Sequence, residues 1–165
     1  MSAMIMPILM SLMLSQSSPI DVSNSIIDLN PHVSQKRANF LGRIIYKEAS
    51  RFNIDPKIIT AILRQESNFE PNQKVCYVVH RNKACWDTCD FGISQINAAW
   101  AKRWHLDTEE LINNDAFNIH IAARVLSIIQ KQFGDEENWY SRFNTSGPKR
   151  AIYEMSIKSY LAELE

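Results

Sequence analysis

The chain carries no excess charge of either sign. Its 18 Lys and Arg balance 18 Asp and Glu over 165 residues, and a pI near 6.9 leaves no basic footprint for wrapping nucleic acid or coating an anionic membrane. Affinity for a polymer would have to come from a groove. Cysteines number three, enough for one bridge or part of a metal site but too few for a disulfide framework. Only four glycines occur, at 42, 92, 134 and 147, and the last three fall where helices are expected to begin or end. The most apolar stretch, Ala3 to Leu14, is too short to span a bilayer but suits a signal-peptide h-region.

The first 35 residues lack Lys and Arg altogether. Residues 1–20 read as a signal peptide despite the missing basic n-region, and 21–34, rich in Ser, Asn and Asp, read as a linker. Residues 35–165 then hold 18 basic against 16 acidic side chains and suffice for one globular domain with a closed core.

That domain is mainly helical by pattern. "NFLGRIIYKEASRF" spaces Phe40, Leu41, Ile44, Ile45 and Ala49 with the helical period. A second helix opens at Asp55 and Pro56, an N-cap followed by proline at the first helical position. The longest runs from Asp115 to Gly134 with the stripe Phe117, Ile121, Ala122, Val125, Ile128 and Ile129, apolar enough to be central. A short helix at "ENWYSRF", the loop "NTSGPK" and a helix from about Arg150 to Glu163 complete the chain.

One insertion, residues 74–92, is β-like. "VCYVV" is a strand by composition and "RNK" a turn, so a hairpin is expected. A two-residue loop at Asn82 and Lys83 puts Cys76 opposite Cys89, a pair that an oxidising compartment would bridge. The same stretch offers Cys76, His80, Cys85 and Cys89 as zinc ligands, though the gaps are not those of paired CxxC hooks; no metal or other cofactor is expected.

The carboxylate of Glu66 is the first chemical signal. Positions 59, 62, 63 and 66 share one side of a helix, and the first three are Ile59, Ile62 and Leu63. A carboxyl held against apolar groups keeps its proton to higher pH, as a general acid requires. The ordinary alternative is a helix-end Glu reaching water. Downstream, "DFGISQIN" supplies Ser94, Gln95 and Asn97, and "SRFNTSG" supplies Phe143 and Asn144; such amides hydrogen-bond sugar hydroxyls and acetamido groups.

Taken together, "QESNFEP", "DFGISQIN" and "RFNTSG", separated by a long apolar helix, resemble the lytic transglycosylase domain of the goose-lysozyme-like superfamily over about residues 36–163. The resemblance implies a mainly α, α+β lysozyme-like fold, a helical domain with one small β-hairpin at the active-site cleft. It implies Glu66 as catalytic acid/base, with Ser67, Ser94, Gln95, Asn97, Phe143, Asn144 and Tyr153 along a peptidoglycan groove. The family's tyrosine before the Asn is replaced by Phe143. "TCDFGISQINAAW" is in turn similar to a c-type lysozyme signature whose Asp is the second catalytic carboxylate, which makes Asp90 a further catalytic candidate.

The function implied is cleavage of the MurNAc-β-1,4-GlcNAc bond to 1,6-anhydromuramoyl products. A lysozyme-type hydrolysis assisted by Asp90 is the first alternative, and a non-catalytic glycan-binding or assembly module the second. Glycan strands of peptidoglycan are the expected partner, with secretion or conjugation machinery in the cell envelope as a further one, for a periplasmic or secreted monomer that binds no nucleic acid. Trp86, on the hairpin, is the better sugar-stacking candidate; Trp100 and Trp104, four residues apart, are expected in the core. His32, His105 and His120 are assigned no chemistry.

Overall fold

The fold comes from a computed structural model that describes residues 17–81, 84–144 and 149–165, and of 79–81 and 84–87 the backbone alone. In chain order the elements are α1 (Pro19–Leu29), α2 (Gln35–Phe52), α3 (Pro56–Ser67), β1 (Lys74–Arg81), β2 (Ala84–Phe91), β3 (Ile96–Asn97), α4 (Ala98–Arg103), α5 (Thr108–Asn113) and α6 (Asp115–Phe133). A 3-10 turn at Trp139–Arg142 and α7 (Lys149–Glu163) follow. Mainly helical with one small antiparallel sheet, this is the α+β lysozyme-like architecture expected.

Helix α6 runs through the core, with Ile119, Ile121, Ala122, Val125 and Leu126 buried. Helix α2 packs against it, α1 lies along α2, and α7 lies against α3. The stripes read from sequence are rotated slightly. Phe40 is exposed while Ala38 and Glu48 turn inward, and Ile128 is also exposed. Glu48 is buried with His120 Nδ1 at 2.8 Å, a polar tie between α2 and α6. The cap of α6 is Asn114, whose side chain accepts from Phe117 N; Asp115 instead pairs with Arg37 of α2.

The segment read as linker is corrected over most of its length. Ser18 and Asp21 form a capping box, each side chain accepting from the other's backbone N–H at 3.2 and 2.7 Å, with Pro19 at the first helical position. Val22, Ile26 and Leu29 are buried at helical spacing. The Ser- and Asn-rich composition hid this amphipathic period. Gly42 lets the two helices touch, since a Cβ there would lie 2.3 Å from Ser23 Oγ and 2.8 Å from Pro19 O. The apolar Ala3–Leu14 stretch lies outside the described residues, among which no helix is long and apolar enough to cross a membrane.

The hairpin adopts the register expected, Arg81 with Ala84 and Cys76 with Cys89, and gains a third short strand as β2 pairs with β3. Cys76 and Cys89 are joined by a disulfide, their Cα atoms 4.1 Å apart. With both sulfurs so occupied, neither serves a zinc ion; the loop residues Asn82 and Lys83 and the side chains of His80, Cys85 and Trp86 lie outside the described part, as do 145–148 with Gly147.

Candidate active site

Glu66 sits next to the last residue of α3. Ile59, Ile62 and Leu63 are wholly buried, and the same helical face brings position 66 to the edge of the core. The helix is stopped hard just beyond. Asn68 is left-handed at φ 57 and Phe69 follows at φ 66 with its ring buried, a conformation unfavourable for a bulky side chain and held by its surroundings. Asn30 Nδ2 donates to Asn68 O at 3.3 Å and Oδ1 at 3.0 Å, and Arg37 Nη2 to Phe69 O at 3.1 Å. The turn bearing Glu66 is therefore clamped from α1 and α2.

Two donors meet the carboxyl from the C-terminal part of the chain. Asn144 Nδ2 reaches Oε1 at 2.8 Å and Oε2 at 2.9 Å, and the Tyr153 hydroxyl donates to Oε1 at 2.7 Å. The carboxyl is sunk among protein atoms while part of the side chain stays open to solvent. Burial pushes it up to about 7 against the pull of the Asn144 and Tyr153 hydrogen bonds, and the charge of Asp90 adds to the rise, desolvation outweighing hydrogen bonding. Its place in the last turn of α3 adds in the same direction, since a helix C-terminus disfavours an anion.

Asp90, near the end of β2, is itself held. Asn97 Nδ2 donates to Oδ1 at 2.7 Å and the Tyr77 hydroxyl to Oδ2 at 3.1 Å. Burial raises the Asp90 carboxyl while these two bonds lower it. Tyr77 and Asp90 stand on one face of the hairpin and the disulfide on the other, because side chains alternate along a strand and Cys76 pairs with Cys89. Asp90, Gln95, Ile96, Asn97, Trp100, Val125, Phe143 and Asn144 line a cleft, so both carboxylates or their hydrogen-bond partners converge on it.

The β2–β3 turn is set by Asn118 of α6, fully buried. Its amide donates to Phe91 O at 2.8 Å and Leu111 O at 2.9 Å and accepts from Ser94 N at 2.9 Å and from the Ser94 hydroxyl. Gly92 (φ 74) packs against this amide.

Several expected groove residues hold other positions. Ser94 is wholly buried on Asn118 and does not reach the cleft surface. Ser67 gives its hydroxyl to Leu63 O at 3.3 Å. Asn97 caps α4 through Ala99 N at 2.9 Å and holds Asp90 with its amide nitrogen, so it positions the carboxylate. Gln95 lines the cleft, but its Nε2 is turned back to Gly92 O at 2.7 Å. Tyr153 is buried behind Glu66. Phe143 and Asn144 do line the cleft. Trp100, expected in the core, lines it too; Trp139 is buried.

Asn118 and Tyr77 are site residues that the sequence pattern does not single out. For Asn118 the sign in the sequence is an Asn in the first turn of α6 beside the apolar stripe, since a buried amide needs partners. Tyr77 was accessible by counting two residues along the face shared with Asp90.

Residues 43–151 match the family model described as the transglycosylase SLT domain. The chain belongs to this family. The match spans Glu66, the hairpin and Asn144 and ends two residues before Tyr153. No curated protein matches the chain significantly. The SLT domain acts on cell-wall peptidoglycan, which implies an extracytoplasmic place of action.

A physical check of the site needs no substrate. By 13C NMR the Glu66 carboxyl should titrate near pH 7. In Tyr153→Phe the midpoint should move up, because a hydrogen bond favouring the anion is gone. A midpoint near the ordinary 4.5 would mean that the carboxyl is hydrated rather than sunk.

Proposed function

We propose that this chain is a lytic transglycosylase that cleaves the bond between N-acetylmuramic acid and N-acetylglucosamine, with Glu66 as general acid and then base. The observation that carries it is the Glu66 carboxyl sunk among protein atoms beside a cleft and fixed by two donors, where burial pushes it up to about 7. Of its oxygens, Oε1 takes two donors and Oε2 one, which leaves Oε2 the freer to carry the transferable proton. Glu66 gives this proton to the bridging oxygen as the bond breaks. The resulting carboxylate then takes the proton of the muramoyl C6 hydroxyl, whose oxygen closes on C1 to give the 1,6-anhydro ring. The donors that favour the anion support that second half, and a group near neutrality serves both directions of transfer. The phenol of the family's other tyrosine is absent at Phe143, but the terminal-helix Tyr153 keeps a hydroxyl on Glu66, which supports a catalytic rather than a merely binding scaffold. Export to the periplasm or beyond is part of the proposal.

In this scheme the Asp90 carboxylate stabilises the oxocarbenium-like charge, oriented by Asn97 and Tyr77, whose hydrogen bonds oppose the upward push of burial. A hydrolytic course would use the same Asp90 carboxylate as nucleophile. Mass spectrometry of the digest separates the two. Anhydromuramoyl ends are expected, and Asp90→Asn should slow the reaction about 10²-fold, the scale of electrostatic stabilisation, without changing them. Reducing ends alone would establish the hydrolytic course.

A further inference from the structure

The cleft continues past Asn144. Asn97, Trp100, Phe143 and Asn144 line both it and a wider groove of about 580 Å³. The walls of that groove carry Arg103, Arg142 and Arg150, with no carboxylate among the described lining residues. In a chain of zero net charge, three guanidiniums along one groove are a local concentration of positive potential.

They are also ordered. Arg142 grips Glu136 through Nε at 3.0 Å and Nη2 at 2.7 Å, and Arg150 reaches the same carboxylate at 3.0 Å and Ser141 Oγ at 2.8 Å. One carboxylate thus serves two guanidiniums, each with N–H donors to spare. Arg142 stacks on Phe133 with 3.9 Å to the ring centroid, and Arg103 stands over Trp100 at 5.4 Å. Among the described residues Arg103 pairs with no carboxylate. Guanidiniums fixed by stacking and by a shared acid lose little freedom when a second anion arrives, and their forks match carboxylates.

Sugar hydroxyls and acetamido groups have no need of such a set, whereas the peptide arms on muramic acid carry free carboxylates. We infer that this groove binds the carboxylates of those peptide arms, so that the chain prefers glycan whose arms carry them free. The identity of the polymer rests on the function proposed above.

The test uses binding, so that it does not depend on turnover. The full chain carrying Glu66→Gln is titrated onto insoluble peptidoglycan and onto the same material in which the free peptide carboxylates have been converted to neutral amides, the lactyl carboxyls being already tied up in amide bonds to the arms. Material with free carboxylates should bind about fivefold or more tightly, the scale of a few charge-assisted contacts at a partly exposed site. The preference should shrink at high salt, and Arg103→Glu, at an exposed position, should remove most of it. Equal affinity for the two materials, or an Arg103→Glu loss that is the same on both, would overturn the inference and make the groove a sugar subsite. Failure of the glycosidase proposal would appear elsewhere, as absence of released product from either material with the unmutated chain.

Discussion

Glu66→Gln is expected to abolish cleavage of peptidoglycan, a loss of about 10⁴-fold, the upper range of a general acid–base contribution. The amide keeps the shape of the carboxyl and loses only the transferable proton, so circular dichroism should be unchanged. Stability should move the other way. The folded-state value of about 7 lies above the ordinary 4.5, so between these limits the folded chain holds a proton that the unfolded chain has released. Protonated Glu66 therefore favours the fold fully below the unfolded value, and that contribution is lost as pH rises through 7. The glutamine variant has no such loss, so its melting temperature relative to the parent should be higher at pH 8 than at pH 5. Turbidity clearance on purified walls and thermal melts at the two pH values check both halves. Activity retained in the variant would remove Glu66 from the chemistry.

Gly92→Ala is expected to be the most damaging single methyl in the molecule's cleft. A Cβ at this position would lie 2.0 Å from Leu111 O and 2.2 Å from Asn118 Nδ2, at a φ of +74°. Both obstacles are fixed, since that amide already donates to Leu111 O and to Phe91 O. The left-handed backbone adds strain to the clash. A loss on the order of 4 kcal/mol is anticipated, as for other failures at special backbone positions, which for a chain of this size lowers the melting temperature by roughly 10 °C. The turn also sets the path of Asp90 and Gln95, so any folded fraction should have reduced activity. A variant with unchanged melting temperature would show that the turn can relax away from α6.

How much of this could be read in advance differs by element. Helices α2, α3, α6 and α7 announced themselves because apolar residues at the helical period and proline or Asp at the starts are local signals. The hairpin register followed from strand composition and a short turn. Helix α1 did not announce itself: its period is carried by only Val22, Ile26 and Leu29 among Ser, Asn and Asp, and it is stabilised by packing on α2 rather than by its own composition. Phe40 and Ile128 were placed inward by the pattern, but a helical stripe leaves its exact facing open by a fraction of a turn, and the neighbours choose it.

The same divide runs through the site. That a carboxyl ends an apolar helical face, that Asp90 leaves a hairpin, and that amides and Gly92 follow are legible in the residues alone, because those are matters of spacing along one element. Which groups meet depends on how distant segments pack. Asn144 and Tyr153 converge on Glu66 from 78 and 87 residues away, Tyr77 and Asn97 share Asp90, and Ser94 turns its back on the cleft to satisfy Asn118. Hydrogen-bond partners and desolvation are properties of surroundings assembled from distant segments, and the proton affinity of Glu66 depends on both. No periodicity within a single element encodes them.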